Sequence, residues 1–406
     1  MKKYLLLFPD TFLWYSKNIG LLYNSKKGIS YSFFLNDNIL KLCEELLDPI
    51  KLYTCIILDS KDILLTEWLN KILELDMGEL VQLKDSYSPI SFPPILNLQS
   101  DVVRLESTLG RHIGENILSY VTDINIYLGG MCDTNENYYK QFLYPVSDEN
   151  ILSPSVLKEN IIALKRFHIK LNILGGDLIK YPYYEELFHL IENSSFFLSF
   201  YVFDYLFVSL YEILADKDNI NFKIIYTNYN CFVSVINFIG EKTKMDNGIK
   251  FSYSWIYLVS SDSDIEDLDM VISMQKSRKF EILPVYIESN ISFFEKNVYV
   301  TNSFLLKPRV SKKYIYRNSI INSNYWGKIT IMSNGKIYSN PNFPSIGNVY
   351  DSVYEILIRE IKMKNSWRLM RADCIPCKNC LYKYICPPIS NYELVLKRYN
   401  LCFKSI

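Results

Sequence analysis

The run "CIPCKNCLYKYIC", residues 374–386, sets four of the chain's nine cysteines within thirteen positions, and Cys402 follows near the end. Two residues between cysteines let both sulfurs reach one centre from a tight loop. Thiolates are the preferred protein ligands of zinc and of iron–sulfur clusters. The spacing Cys374-x2-Cys377-x2-Cys380-x5-Cys386, then fifteen residues to Cys402, offers a four-thiolate site from Cys377, Cys380, Cys386 and Cys402. Cys374 is an alternative ligand, and spacing does not choose between iron and zinc.

The rest of the chain frames that site. Its 406 residues allow two or three domains and a large core. Lys plus Arg and Asp plus Glu balance at 44 each, so no net field draws nucleic acid or an anionic membrane. The apolar start "MKKYLLLFPDTFLW" is broken by Pro9 and Asp10 before a signal-peptide core forms, and no small-residue cleavage site follows. The most membrane-like stretch, "FFLSFYVFDYLFVSLYEIL" (196–214), carries Asp204 and Glu212 and reads as a buried strand followed by a helix. The expected location is the cytoplasm, where clustered cysteines mean metal rather than disulfides.

Residues 1–85 hold three strand-like runs, "YLLLFP", "GLLYNS" and "ISYSFFL", and the helical patterns "NDNILKLCEELL" and "DILLTEWLNKILEL". Their spacing predicts a three-strand, three-helix module with Asn36 or Asp37 as a helix N-cap. The proline-rich tract 88–97 lies in an expected linker, 86–119. From 120 to 300, strand and helix alternate six times, with strands proposed at 123–129, 168–176, 196–202, 222–227, 253–260 and 280–287. Such alternation predicts an α/β fold: a parallel sheet with right-handed crossovers, closed or partly closed as a barrel. Residues 313–406 open with the hairpin "KITIMSNGKIY", turned by Asn334-Gly335.

This hairpin, the later "IGNV", the helix "VYEILIREIKM" and "CIPCKNCLYKYICPP" resemble the C-terminal auxiliary-cluster domain, called SPASM, of radical S-adenosylmethionine enzymes that modify peptides. The resemblance assigns Cys377, Cys380, Cys386 and Cys402 to one four-iron cluster. The other cluster's cysteines fall at Ser339, Ser352 and Ser390, so it implies one cluster kept and one lost. The six-unit region resembles the partial (β/α)6 barrel of that superfamily. "ILGGD" (173–177) stands where the family's Gly-Gly-Glu holds S-adenosylmethionine, which places a vestigial site at Cys132, Gly175, Gly176 and Asp177. Where the family carries Cys-x3-Cys-x2-Cys, only Cys132 remains, followed by Glu136 and Tyr139. One thiolate cannot hold the catalytic cluster.

The chain therefore resembles a pseudo-radical-SAM protein of Bacteroidales-type peptide-maturation systems, with an N-terminal winged-helix-like precursor-recognition domain. That implies a non-catalytic subunit, binding a precursor peptide and an active radical enzyme as a heterodimer. The peptide is expected to add as a strand beside "ISYSFFL" through Ile29, Tyr31 and Phe33, with Leu40 and Cys43 of 38–46 as the groove wall. Two readings of "LGGD" stay open, a strand-end turn and residual S-adenosylmethionine binding. An alternative is altered enzyme chemistry around Cys132, Asp133, Glu136 and Asp177, and another is a scaffold holding zinc. His112, His168 and His189 form no arrangement with Cys, Ser or Asp, and Cys43, Cys55 and Cys231 read as core thiols.

Overall fold

The apolar run Leu5, Leu6 and Leu7 at the chain's start feeds a sheet that the local pattern understates. The computed structural model describes residues 2–57, 62–83, 89–94, 116–134, 137–217, 219–244, 251–274, 279–301, 309–363 and 365–402. The N-terminal segment contains β1 (Lys2–Leu7), β2 (Thr11–Ser16), β3 (Ile19–Asn24), β4 (Ile29–Phe34), α1 (Asp37–Leu47), β5 (Thr54–Ile57), α2 (Ile63–Glu74) and β6 (Gly78–Leu83). They form two three-stranded antiparallel sheets, ordered β5-β1-β6 and β2-β3-β4. The expected three strands and three helices are thus corrected to six strands and two helices among the described residues. Two of the extra strands pair with β1 across more than forty residues, which no local period records.

Asn36 caps α1 by accepting from Ile39 N–H at 2.8 Å, and Asp62 caps α2 by accepting from Leu65 N–H at 3.1 Å. One face of each helix, Ile39, Leu42, Cys43 and Leu46 on α1 and Leu65, Trp68, Leu69 and Ile72 on α2, closes a core with Leu13, Leu22 and Phe33. Each such large apolar side chain removed from water contributes about 1.5–3 kcal/mol. Gly20 is needed there, because a Cβ on it would come within 2.3 Å of the Phe33 ring lying across β3. Ser91, in the tract read as linker, is buried and ties it down, its N–H donating to Leu52 O at 3.1 Å and its hydroxyl to Leu7 O at 2.9 Å.

All six strands expected between 120 and 300 are present: β7 (Asp123–Tyr127), β8 (Lys170–Leu174), β9 (Phe197–Phe203), β10 (Ile220–Ile225), β11 (Ser252–Val259) and β12 (Phe280–Pro284). They are parallel and lie side by side in chain order. Between them run α3 (Lys158–Leu164), α4 (Tyr184–Ile191), α5 (Asp204–Ile213), α6 (Tyr229–Lys244) and α7 (Asp262–Met274). Crossovers of one hand in one direction put connecting helices on one face. That face buries Ile126, Ile173, Phe200, Phe222 and Trp255 against Leu164, Leu187, Phe207 and Phe232. The membrane-like stretch is β9 followed by α5, and among the described residues no helix is long and apolar enough to cross a membrane.

After α8 (Ile291–Asn297) and α9 (Lys312–Asn318), the hairpin β13 (Lys328–Ile331) and β14 (Lys336–Tyr338) forms with Gly335 at φ 77°. β13 pairs in parallel with β7, setting Ile329 opposite Ile124, and with β15 (Gly347–Asn348) the sheet reaches nine strands. α10 (Val353–Met363) and α11 (Asn391–Val395) flank the cysteine loop. Among the described residues the sheet ends on β12 and β15, which do not pair with each other.

Candidate metal centre and peptide-facing edge

Around the cysteines the chain makes tight turns. Cys377–Asn379 is one turn of 3-10 helix, Cys380 N–H donates to Cys377 O at 2.9 Å, and Cys386 N–H donates to Tyr382 O at 2.8 Å. Cys402 is returned by a bridge to Val300, whose N–H donates to Leu401 O at 2.9 Å. Burial pushes the Cys386 thiol up to about 12; Arg371 opposes that, and Cys380, Cys377 and Cys402 add to it. The other three expected thiols thus all act on Cys386. Cys374, raised to about 11 by burial, feels Asp373, Cys377, Arg371 and Glu393 instead. Among the described residues no three His, Cys, Asp or Glu side chains are drawn into a ready coordination sphere. The donor set nevertheless fits a thiolate-bound metal, because thiolates held near one another repel and a shared cation stabilises them.

Sequence reasoning missed two residues here. Arg371 and Glu393 form a buried bidentate pair, with Nη1 to Oε1 at 2.8 Å and Nη2 to Oε2 at 3.2 Å, and Arg371 Nη1 also lies 3.5 Å from Cys377 Sγ. Twenty-two residues apart and on no shared helix, they carry no local signal.

At "ILGGD" (173–177), Gly176 N–H donates to Gly129 O at 2.9 Å, and a Cβ on Gly176 would meet Gly130 O at 1.8 Å. The glycines of 129–130 and 175–176 are therefore required by backbone packed on backbone. Asp177 caps the next turn through Ile179 N–H at 3.1 Å and pairs with Lys180 at 3.0 Å. Cys132 joins Tyr138, Phe142, Tyr144 and Phe203 in an aromatic cluster on the sheet face opposite the helices. Burial raises its thiol, with Thr134 opposing and Asp177 and Asp133 adding. Asp133 is exposed, and Glu136 lies outside the described residues.

The three serine positions separate. Ser339 and Ser390 line one cavity of about 360 Å³ with Asn125, Gln141, Asn340 and Asn391. Ser352 instead precedes α10, whose far end leads to Asn365 and its 3.2 Å bond to Ser339. His168 and His189 are exposed, and His112 lies outside the described residues. Cys43 and Cys55 are core thiols as expected; Cys231 is corrected to a half-buried position in the first turn of α6, because the helix turns its Phe232 inward instead.

Among the described residues β4 is an edge of its sheet. Leu35 N–H donates to Asn18 O at 2.8 Å, which fixes the phase of the ladder and turns the main-chain groups of Ser30, Ser32 and Phe34 outward. The flanking helix is α2, a correction to the expected wall at 38–46. The Phe33 and Trp68 rings meet with centroids 5.7 Å apart, and Glu67 acts on Tyr31, whose hydroxyl burial raises first. α1 lies instead by β2, where Leu47 lines a cleft of about 200 Å³ with Leu13 and Trp14. The reason is the interposed β5, which carries the chain across before α2 begins. Cys43 is fully buried and Phe33 nearly so, while Ile29, Tyr31 and Leu40 are half-buried.

Both ends of the space between β4 and α2 are tied. Lys27, in the β3–β4 turn, binds the Asp76 carboxylate and the Leu75 carbonyl just past α2. Asn36 and Asn38 donate to Asp62 at 3.1 and 2.8 Å. Phe34, Ile63 and Leu64 beside that second tie are 78%, 72% and 55% exposed.

No protein-family model matches the chain, and no curated protein matches it. Among solved structures it is similar to Streptococcus suis SuiB bound to S-adenosylmethionine, at 15% identity over 98% of this chain and 97% of that one, with a TM-score of 0.44. SuiB bound to its precursor peptide SuiA is similar at 16% identity over 99% and 98%, with a TM-score of 0.46. The anSMEcpe enzyme with bound AdoMet and Cp18Cys peptide matches at 12% identity over 65% and 88%, with a TM-score of 0.44. At this identity and closeness of superposition, neither substrate nor cofactor passes from those chains to this one.

Proposed function

We propose that this chain is a non-catalytic partner subunit that binds a ribosomally made precursor peptide and an active radical S-adenosylmethionine enzyme in the cytoplasm. In this reading residues 1–85 recognise the peptide, 86–119 connect, 120–300 are a degenerate partial barrel, and 313–406 carry one auxiliary iron–sulfur cluster. The observation that carries it is the edge of β4 beside α2, unpaired among the described residues and tied at both ends. An extended peptide adds there as a fourth strand: main-chain bonds to Ser30, Ser32 and Phe34 give affinity, and apolar side chains meet Phe34 and Leu64. A fixed slot lowers the ordering cost of binding.

Loss of catalysis follows from the sequence, where Cys132 is the one thiol of the former triad, and is supported by the Gly176 N–H and Asp177 carboxylate being engaged within the chain. Cys377, Cys380, Cys386 and Cys402 would hold the cluster, which when bound supplies a closed structural or electron-transfer centre. Zinc is the alternative occupant. The altered-enzyme reading gains nothing from the geometry, since Asp133 is solvated and Asp177 is paired with Lys180.

The test is fluorescence anisotropy of a labelled leader segment, taken from the precursor encoded beside this chain's gene, against anaerobically purified full-length protein. Saturable binding weakened at least tenfold by Ser32→Pro supports the edge; equal binding by the variant removes it. Release of 5′-deoxyadenosine from S-adenosylmethionine by this chain alone would overturn the non-catalytic reading.

A further inference from the structure

The four thiols of the proposed metal centre come from three stretches of chain, and one buried guanidinium touches all three. Arg371 Nη1 donates towards Cys377 Sγ at 3.5 Å and to Tyr399 O at 3.0 Å, and its Nε donates to Pro387 O. Pro387 directly follows Cys386, and Tyr399 lies three residues before Cys402. Cys377 Sγ itself donates to Tyr399 O at 3.1 Å. Glu393, 1% exposed, holds the guanidinium by both oxygens and also accepts from Ser390 N–H at 2.8 Å.

We propose that Arg371 is the positioning residue of the metal centre, gathering the segments that bear Cys377, Cys386 and Cys402 and placing a fixed positive charge against the thiolates before metal arrives. This rests on the reading of the four cysteines as ligands. A set of four thiolates around a divalent ion carries two net negative charges, and inside a protein a neighbouring cation offsets them with little screening. Arg suits the position because its planar fork satisfies a carboxylate, two carbonyls and a sulfur together, whereas the Lys ammonium cannot reach all of them at once. Residues that orient metal ligands from behind typically alter affinity by 10–100-fold when removed.

The experiment uses the full chain, stripped of metal under reducing conditions and titrated with cobalt(II) alone, whose thiolate charge-transfer absorption reports tetrathiolate binding. Hydrogen exchange of residues 387–402 is measured on the same metal-free samples. For Arg371→Gln the inference expects at least a tenfold loss of cobalt affinity and faster exchange in 387–402. Arg371→Lys, which keeps the charge without the fork, falls between that variant and wild type. Faster exchange with unchanged cobalt affinity would show a purely structural pair and overturn the inference. Lys and Gln behaving alike would overturn the role of charge. Wild-type protein that takes up no cobalt, or takes it up when all four cysteines are serine, overturns the ligand reading itself and with it the inference. Because Arg371→Gln leaves Glu393 buried and unpaired, the double variant Arg371→Met/Glu393→Leu is run beside it. Normal cobalt affinity in a folded double variant also overturns the inference.

Discussion

The Trp14 ring on β2 meets the Tyr384 ring, between Cys380 and Cys386, with centroids 5.7 Å apart. With the Tyr23 hydroxyl donating to Val310 O at 3.1 Å and accepting from Val310 N–H at 2.7 Å, it seats the N-terminal sheet on the cysteine loop. Phe12, Tyr23, Ile315 and Ile385 fill the space between. Tyr384→Ala is expected to cost about 1–3 kcal/mol, the loss of an aromatic pair plus its buried area. Urea unfolding measures that cost, and exchange at the β2 and β3 amides rises with it. Unchanged exchange would show that the two parts fold without regard to this contact.

Metal content is expected to follow the four thiols. Serine at Cys377, Cys380, Cys386 or Cys402 is expected to abolish bound iron or zinc, while serine at Cys374 or Cys132 retains it. Iron, sulfide and zinc per chain on anaerobic protein settle both metal identity and ligand set. Iron lost with Cys132 would revive a catalytic centre.

Peptide binding is expected to divide by element. Leu64→Asp on α2 should weaken the labelled leader segment at least fivefold. Lys41→Asp on the solvent side of α1 should leave it unchanged, because α2 and not α1 flanks β4. Anisotropy titrations of the two variants check this, and the reverse ranking would restore the wall at 38–46.

Gly176→Ala is expected to destabilise on the order of 3 kcal/mol, since the added Cβ meets the backbone of Gly130 on a neighbouring loop. Denaturation midpoints read the loss. Equilibrium dialysis of the wild type against S-adenosylmethionine should show no saturable binding, and a saturable site would make these glycines a ligand cradle.

Glu360 is fully buried, accepts Trp367 N–H at 2.8 Å, and has its carboxyl raised above the usual range by burial. The folded state therefore holds this proton more tightly than the unfolded state, so its contribution to stability falls as pH rises from the unfolded carboxylate value of about 4.3 through the raised one. Glu360→Gln cannot ionise and should gain stability relative to wild type between pH 4.5 and 7.5. Urea midpoints across that range test it; a difference constant with pH would place the Glu360 carboxyl at its ordinary value.

Periodicity showed β7 to β12 and the Asn334-Gly335 hairpin because buried parallel strands read as unbroken apolar runs and a two-residue turn needs a positive φ. Cysteine spacing likewise offered Cys377, Cys380, Cys386 and Cys402 as a four-thiolate set, with Cys374 as an alternative, since a shared centre demands close sulfurs. These are properties of neighbours in the chain. Tertiary structure alone decided that β13 extends the sheet beside β7, that α2 rather than α1 faces β4, that Ser352 stands apart from Ser339 and Ser390, and that Arg371 and Glu393 lie behind the thiols. Each depends on which distant segments pack together. That choice is made by summed burial over the whole core, so no local period or motif writes it down.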